Sequence, residues 1–139
     1  MIVLDVNVLV AAHLAEHPDH ETAHVFLSSV LTDDAVLVPD AVWSGFLRVV
    51  TNRRIFAIPA TLAAATEFVR AVVAAPGYIH VTGLVDGIDP FLDLCTVSEA
   101  TANLVPDAYI AAVAMAHGCA VATFDRDFRR FDGLSIVTP

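Results

Sequence analysis

Apolar residues occur along this chain as short runs that alternate with longer stretches of helical spacing. Ile2 to Leu4 is a β-branched-rich run ending at Asp5, the pattern of a strand buried on both faces. Asn7 to Leu14 predicts a short helix. Pro18-Asp19 opens a longer one, with Ala23, Phe26, Leu27, Val30 and Leu31 on one face. Ala35 to Val38 predicts a second strand stopped by Pro39, and Asp40 is placed to cap a helix carrying Trp43, Phe46, Leu47 and Val50. A further helix is expected from Thr61 to Ala74, stopped by Pro76-Gly77. Tyr78 to Thr82 predicts a third strand and Pro90 to Val97 part of another helix. Pro106 suits the first position of the next helix and Gly118 its end. Ala120 to Thr123 then predicts a strand, Asp127 to Phe131 a helical turn, and Leu134 to Val137 a last strand. Strands alternating with helices imply an α/β fold with a mainly parallel sheet covered on both faces.

With 139 residues and no linker, repeat or low-complexity tract, residues 1–139 read as one domain. A hydrophobic fraction of 57% against 17% charged residues excludes a disordered or charge-rich tail protein. No apolar stretch is long enough to span a bilayer, and no basic residue precedes the first apolar run, so no membrane association or secretion signal is expected. Cys95 and Cys119 stand in apolar surroundings without ligand-like spacing, as reduced, buried thiols of a cytoplasmic protein would. Charge complicates the picture. The net value is −9 and lysine is absent. The seven arginines include one group at Arg48, Arg53 and Arg54 and another at Arg126, Arg129 and Arg130. Nucleic-acid binding normally draws on a basic surface. Two arginine groups on an acidic body can still guide a phosphate backbone, or the acidic remainder can receive a basic partner.

Four aspartates stand at segment borders: Asp5 after the first strand, Asp107 after Pro106, and Asp125 and Asp127 after the run AVATF. Each has a structural explanation of its own, as an Asx turn, a first-turn partner of the helix dipole, or a cap. Together they suggest a shared task. Sites in open parallel sheets form beyond the carboxyl ends of strands, where Asp5 and Asp125 should emerge. Clustered carboxylates repel one another unless a cation neutralises them, which points to a divalent metal and to phosphate chemistry.

The segments LDVNVLV, NLVPDAYIAAVAMAHG and TFDRDFRRFDGL resemble a PIN domain, and more specifically the VapC-type toxins of bacterial toxin–antitoxin pairs. The resemblance spans nearly the whole chain. It implies a PIN-like three-layer α/β/α fold and an endoribonuclease dependent on Mg²⁺ or Mn²⁺. It also implies a homodimer, held inactive by a cognate antitoxin whose C-terminal segment occupies the active-site groove. On this reading Asp5, Asp107 and Asp125 are the principal metal-site carboxylates, and Asp127 is an additional catalytic or outer ligand. Asn7 and Thr123 orient carboxylates or water by hydrogen bonding. Arg126 and the group around Arg48 are candidates for RNA contact.

One position departs from the family pattern. A glutamate is common in the helix after the second strand, where this chain has Gly45. Glycine supplies no ligand, which leaves open a weakened PIN-like module that binds RNA or an antitoxin without cutting. His13, His17, His20 and His24 have helix-like spacing, but Pro18 interrupts the helix and argues against a shared metal-binding face. His17 or His20 is expected near the mouth of the acidic crevice, and Trp43 in the core. An aspartyl-phosphate phosphatase would want a second aspartate where Asn7 stands, and usually a lysine on the phosphate; a phosphorylated receiver fails the same lysine test.

Overall fold

Branched aliphatic runs form strands where both faces can be covered. A computed structural model describes residues 1–81 and 83–139, and in it the runs become β1 (Ile2–Leu4), β2 (Val36–Leu37), β3 (Tyr78–Ile79), β4 (Ala120–Ala122) and β5 (Ile136–Val137). They pair in the order β3-β2-β1-β4-β5, and every pairing is parallel. Between them lie α1 (Val6–His13), α2 (His20–Asp33), α3 (Asp40–Val50), α4 (Leu62–Val73), α5 (Asp89–Val97) and α6 (Leu104–Ala116). A 3₁₀ turn, Arg126–Arg130, joins β4 to β5.

The strand order decides where helices go. The chain steps outward from β1 through β2 to β3, then returns across the sheet to β4 on the other side of β1. Right-handed crossovers put the helices of the outward steps on one face and those of the return on the other. The contacts follow that division: α1 packs on α2 and α3, and α3 on α4, while α5 packs on α6, which lies against β1 and β4. The result is the expected three-layer α/β/α arrangement. Val3, Leu4, Val36, Leu37, Val121 and Ala122 are buried in the sheet under Leu9, Phe46 and Val113 from the helices.

Several borders differ from expectation for local reasons. Asp40 is the first residue of α3 and makes no side-chain cap; the cap position belongs to Pro39, whose extended backbone precedes the turn. Helix α6 starts two residues before Pro106, because a proline anywhere in the first turn removes an N–H that has no helical partner. Helix α2 starts at His20, with Asp19 at its cap position and Pro18 outside. The outer strands are shorter than their apolar runs, and Thr82, the end of the expected third strand, lies outside the described residues. Trp43 is buried, edge-on to Phe46, and its indole N–H has no hydrogen-bond partner among the described residues. Both cysteines are free; Cys119 is buried and Cys95 half-buried. No helix among the described residues is long and apolar enough to cross a membrane.

Candidate active site

The register between the two central strands builds the site. Leu4 is opposite Ala122, and the Asp5 N–H donates to the Ala122 carbonyl at 3.1 Å, so Asp5 and Thr123 leave the sheet side by side. This is where the strand order reverses, the place at which open α/β sheets present ligand sites. Helix α6, packed over β1 and β4, brings Asp107 to the same edge. Asp5, Asn7, Asp107 and Asp125 line one crevice of about 260 Å³, together with Val6, Val10, His17 and Val49.

A hydrogen-bond network fixes the groups at the strand ends. The Thr123 hydroxyl donates to Asp5 Oδ2 at 2.7 Å and accepts from Asn7 Nδ2 at 3.0 Å and from the Asp125 N–H at 2.9 Å. Asn7 Oδ1 accepts the Phe124 N–H at 3.2 Å, which sets the orientation of the amide. Asp5 Oδ1 accepts the Val6 N–H as the cap of α1, and Asp125 Oδ1 accepts the Asp127 N–H at 2.8 Å as the cap of the 3₁₀ turn. The capping roles and the shared site therefore coexist. Each capping oxygen retains acceptor capacity, because a carboxylate offers about four lone-pair sites.

Asp107 differs: it accepts no hydrogen bond from the described residues. Burial, and then the charges of Asp5, Asp125 and Asp127, raise its pKa from 3.8 to about 7. Asp5 is raised to about 6, chiefly by burial, with Thr123 and the Val6 N–H pulling the other way and Asp125 adding to the rise. An all-oxygen donor set with unrelieved negative charge fits a hard divalent cation. Among the described residues no three carboxylate, imidazole or thiol groups are already gathered at ligand spacing. Magnesium keeps several waters and takes one or two carboxylates, so an open carboxylate wall suits it.

The remaining predicted residues fall into place around this crevice. Asp127 is exposed on the 3₁₀ turn and acts on Asp107 through its charge without lining the crevice. Arg126 lines a neighbouring cavity with Thr123 and Asp125. Arg48 lines another with Val6, Gly45 and Tyr109. Gly45 faces Val6: a Cβ there would lie 3.0 Å from Val6 Cγ2, so α1 and α3 approach closely at this point. Of the histidines, His17 lines the crevice, whereas His20 bonds the Ala11 carbonyl through Nδ1 at 2.9 Å and His13 packs between Phe46 and Phe68. Sequence reasoning missed Val10 and Val49 as crevice walls. Their apolar periodicity marks them only as helix residues, and which of those border a crevice depends on how α1 and α3 pack.

A family-wide sequence comparison matches the PIN domain over residues 2–134. Ribonuclease VapC31 of Mycobacterium tuberculosis is 43% identical over 140 aligned positions, spanning 100% of this chain and 99% of that protein. Ribonuclease VapC25 of the same organism is 42% identical with the same coverage. Among solved structures, Mycobacterium tuberculosis VapC20, described as a sarcin–ricin loop cleaving toxin, superposes with a TM-score of 0.74 at 21% identity over 100% of both chains. VapBC2 of Rickettsia felis, bound to a DNA fragment from its promoter, also superposes with a TM-score of 0.74, at 17% identity over 99% of this chain and 98% of the other.

Proposed function

The chain belongs to the PIN domain family, and from that premise we propose that it is a metal-dependent endoribonuclease, the toxin of a toxin–antitoxin pair. Its full-length kinship with VapC ribonucleases supports the ribonuclease reading. The observation that carries the metal dependence is Asp107, a carboxylate set among three others with no hydrogen-bond donor among the described residues.

Asp5, Asp107 and Asp125 would hold Mg²⁺ or Mn²⁺, with Asp127 adding negative charge from outside. Bound there, the ion would polarise a phosphodiester oxygen and help supply hydroxide for in-line attack. Thr123 keeps Asp5 fixed by donating its only hydroxyl proton, and Asn7 holds Thr123 against the start of the 3₁₀ turn. Arg48 and Arg126, each exposed beside the crevice, would receive the flanking phosphates. The antitoxin assignment draws on the same kinship, and on the fold shared with the VapBC2 protein. We place the protein in the cytoplasm as a homodimer, with a small cognate antitoxin as its partner.

RNA cleavage with Mg²⁺ or Mn²⁺ tests the reading directly. Cutting by the wild-type chain should be lost on chelation and abolished by Asp5→Asn and by Asp107→Asn. Equal activity in the variants would identify a contaminating nuclease and overturn the assignment. Metal-independent RNA binding without any cutting would favour the weakened module that Gly45 suggests.

A further inference from the structure

His17 belongs to two cavities at once. On one side it lines the acidic crevice with Asp5 and Asp107. On the other it lines a largely apolar pocket of about 360 Å³ with Leu14, Pro18, Phe56, Ala57 and Ile58, at whose edge Glu16 adds one exposed carboxylate. The far wall of that pocket is the loop 51–59 between α3 and α4, closed at its base by the Ala60 N–H on the Val50 carbonyl at 2.9 Å. The loop turns on Asn52, whose carbonyl accepts from Ile55 and Phe56 and whose side chain accepts from Arg54. It displays Ile58 at 91% exposure and Ile55 at 51%. At that exposure Ile58 contributes little to packing within this chain. The same loop carries Arg53 and Arg54, both exposed, and neither pairs with a carboxylate among the described residues.

We infer that this pocket receives an unpaired nucleobase of the RNA, next to the phosphate held in the crevice, with His17 as the positioning residue at the junction. The inference rests on the ribonuclease reading above. Single-stranded RNA is recognised by splaying bases onto aromatic and apolar surfaces while cationic side chains follow the backbone. Phe56 and Ile58 supply the surface, Arg53 and Arg54 the cations. His17 supplies orientation: its Nδ1 accepts the Asp19 N–H at 3.1 Å, so in the neutral ring the proton is on Nε2, a donor for a backbone oxygen. An acidic peptide could also meet two arginines. Continuity with the carboxylate crevice through His17 favours the RNA.

The test is RNA binding in the Asp5→Asn background, where the probe is not cut, followed by fluorescence anisotropy with a labelled short oligoadenylate and an abasic ribose-phosphate chain of equal length. Ile58→Ser should weaken oligoadenylate binding about tenfold and leave the abasic chain unaffected. His17→Ala should weaken both, and His17→Gln, which keeps a donor near Nε2, should recover part of the loss. In the otherwise wild-type chain, His17→Ala should raise KM for RNA about tenfold with kcat changed less than about threefold. Ile58→Ser is at an exposed position, so its folding is not in question. Unchanged binding in both variants, while Asp5→Asn and Asp107→Asn still abolish cleavage, would overturn the subsite and leave the nuclease reading intact. Weakened capture of a co-expressed antitoxin by Ile58→Ser, with RNA binding unchanged, would assign the pocket to protein and equally overturn it. Loss of metal-dependent cutting alone, with the predicted binding pattern present, would count against the nuclease reading and support the subsite.

Discussion

Asp107 sits in the first turn of α6, half-buried, facing three other carboxylates and accepting no hydrogen bond from the described residues. Its environment has a direct consequence for stability. In the folded chain Asp107 and Asp5 hold protons up to about pH 7 and about pH 6, against an ordinary carboxylate value of 3.8. Between about pH 4 and pH 7 the folded state therefore binds more protons than the unfolded state, and these groups lower stability as pH rises. In a chelating buffer, Asp107→Asn should raise stability at pH 8 by about 1–2 kcal/mol, a figure discounted for partial exposure. At pH 4 the two chains should melt together. Thermal melts that differ equally at both pH values would show that the charge of Asp107 is not the cause. Mg²⁺ should stabilise the wild-type chain more at pH 8 than at pH 5, because ligand carboxylates must be ionised to bind.

Helix α3 shows how an element can change the meaning of a residue. Along the sequence Gly45 reads as a missing acid. In the fold it is the point where α3 meets Val6 at the start of α1, one residue from Asp5. An added side chain must displace Val6, whose N–H holds the Asp5 carboxylate. Alanine in a helix interior is favoured over glycine by about 1 kcal/mol. Gly45→Ala should gain that amount in a Val6→Ala background and less in the wild-type chain, where Val6 has to move. Urea denaturation of the four chains measures the coupling. Equal gains in both backgrounds would mean that Val6 yields freely, leaving close packing without a role in the choice of glycine.

At the scale of the whole molecule, a net charge of −9 has to coexist with the anionic substrate that the proposed function requires. None of the seven arginines pairs with a carboxylate among the described residues, so the positive charge is available to a ligand. Arg48 and Arg126 lie beside the carboxylate crevice in two separate cavities, and on the proposed function RNA would approach from either side of the acidic centre. Binding of single-stranded RNA should weaken with salt. Arg48→Gln and Arg126→Gln should each reduce the slope of log affinity against log salt by about 0.7. Slopes identical to the parent would remove both residues from the RNA path.

By itself the sequence determined the α/β class, the strand and helix order, and the aspartates at the strand ends. These depend on local periodicity and on turn and cap chemistry, which act over a few residues. It also carried the family resemblance in its three motifs. Tertiary structure alone decided the rest. The register of Leu4 against Ala122 placed Asp5 beside Thr123, 118 residues away in the chain. The return crossover brought Asp107 over that edge, and the packing of α1 on α3 turned Gly45 toward Val6. His17 emerged at the junction of two cavities for the same reason, since each wall comes from a different part of the chain. Desolvation and charge repulsion depend on distances through space, so the raised pKa values of Asp5 and Asp107 exist only in the folded chain.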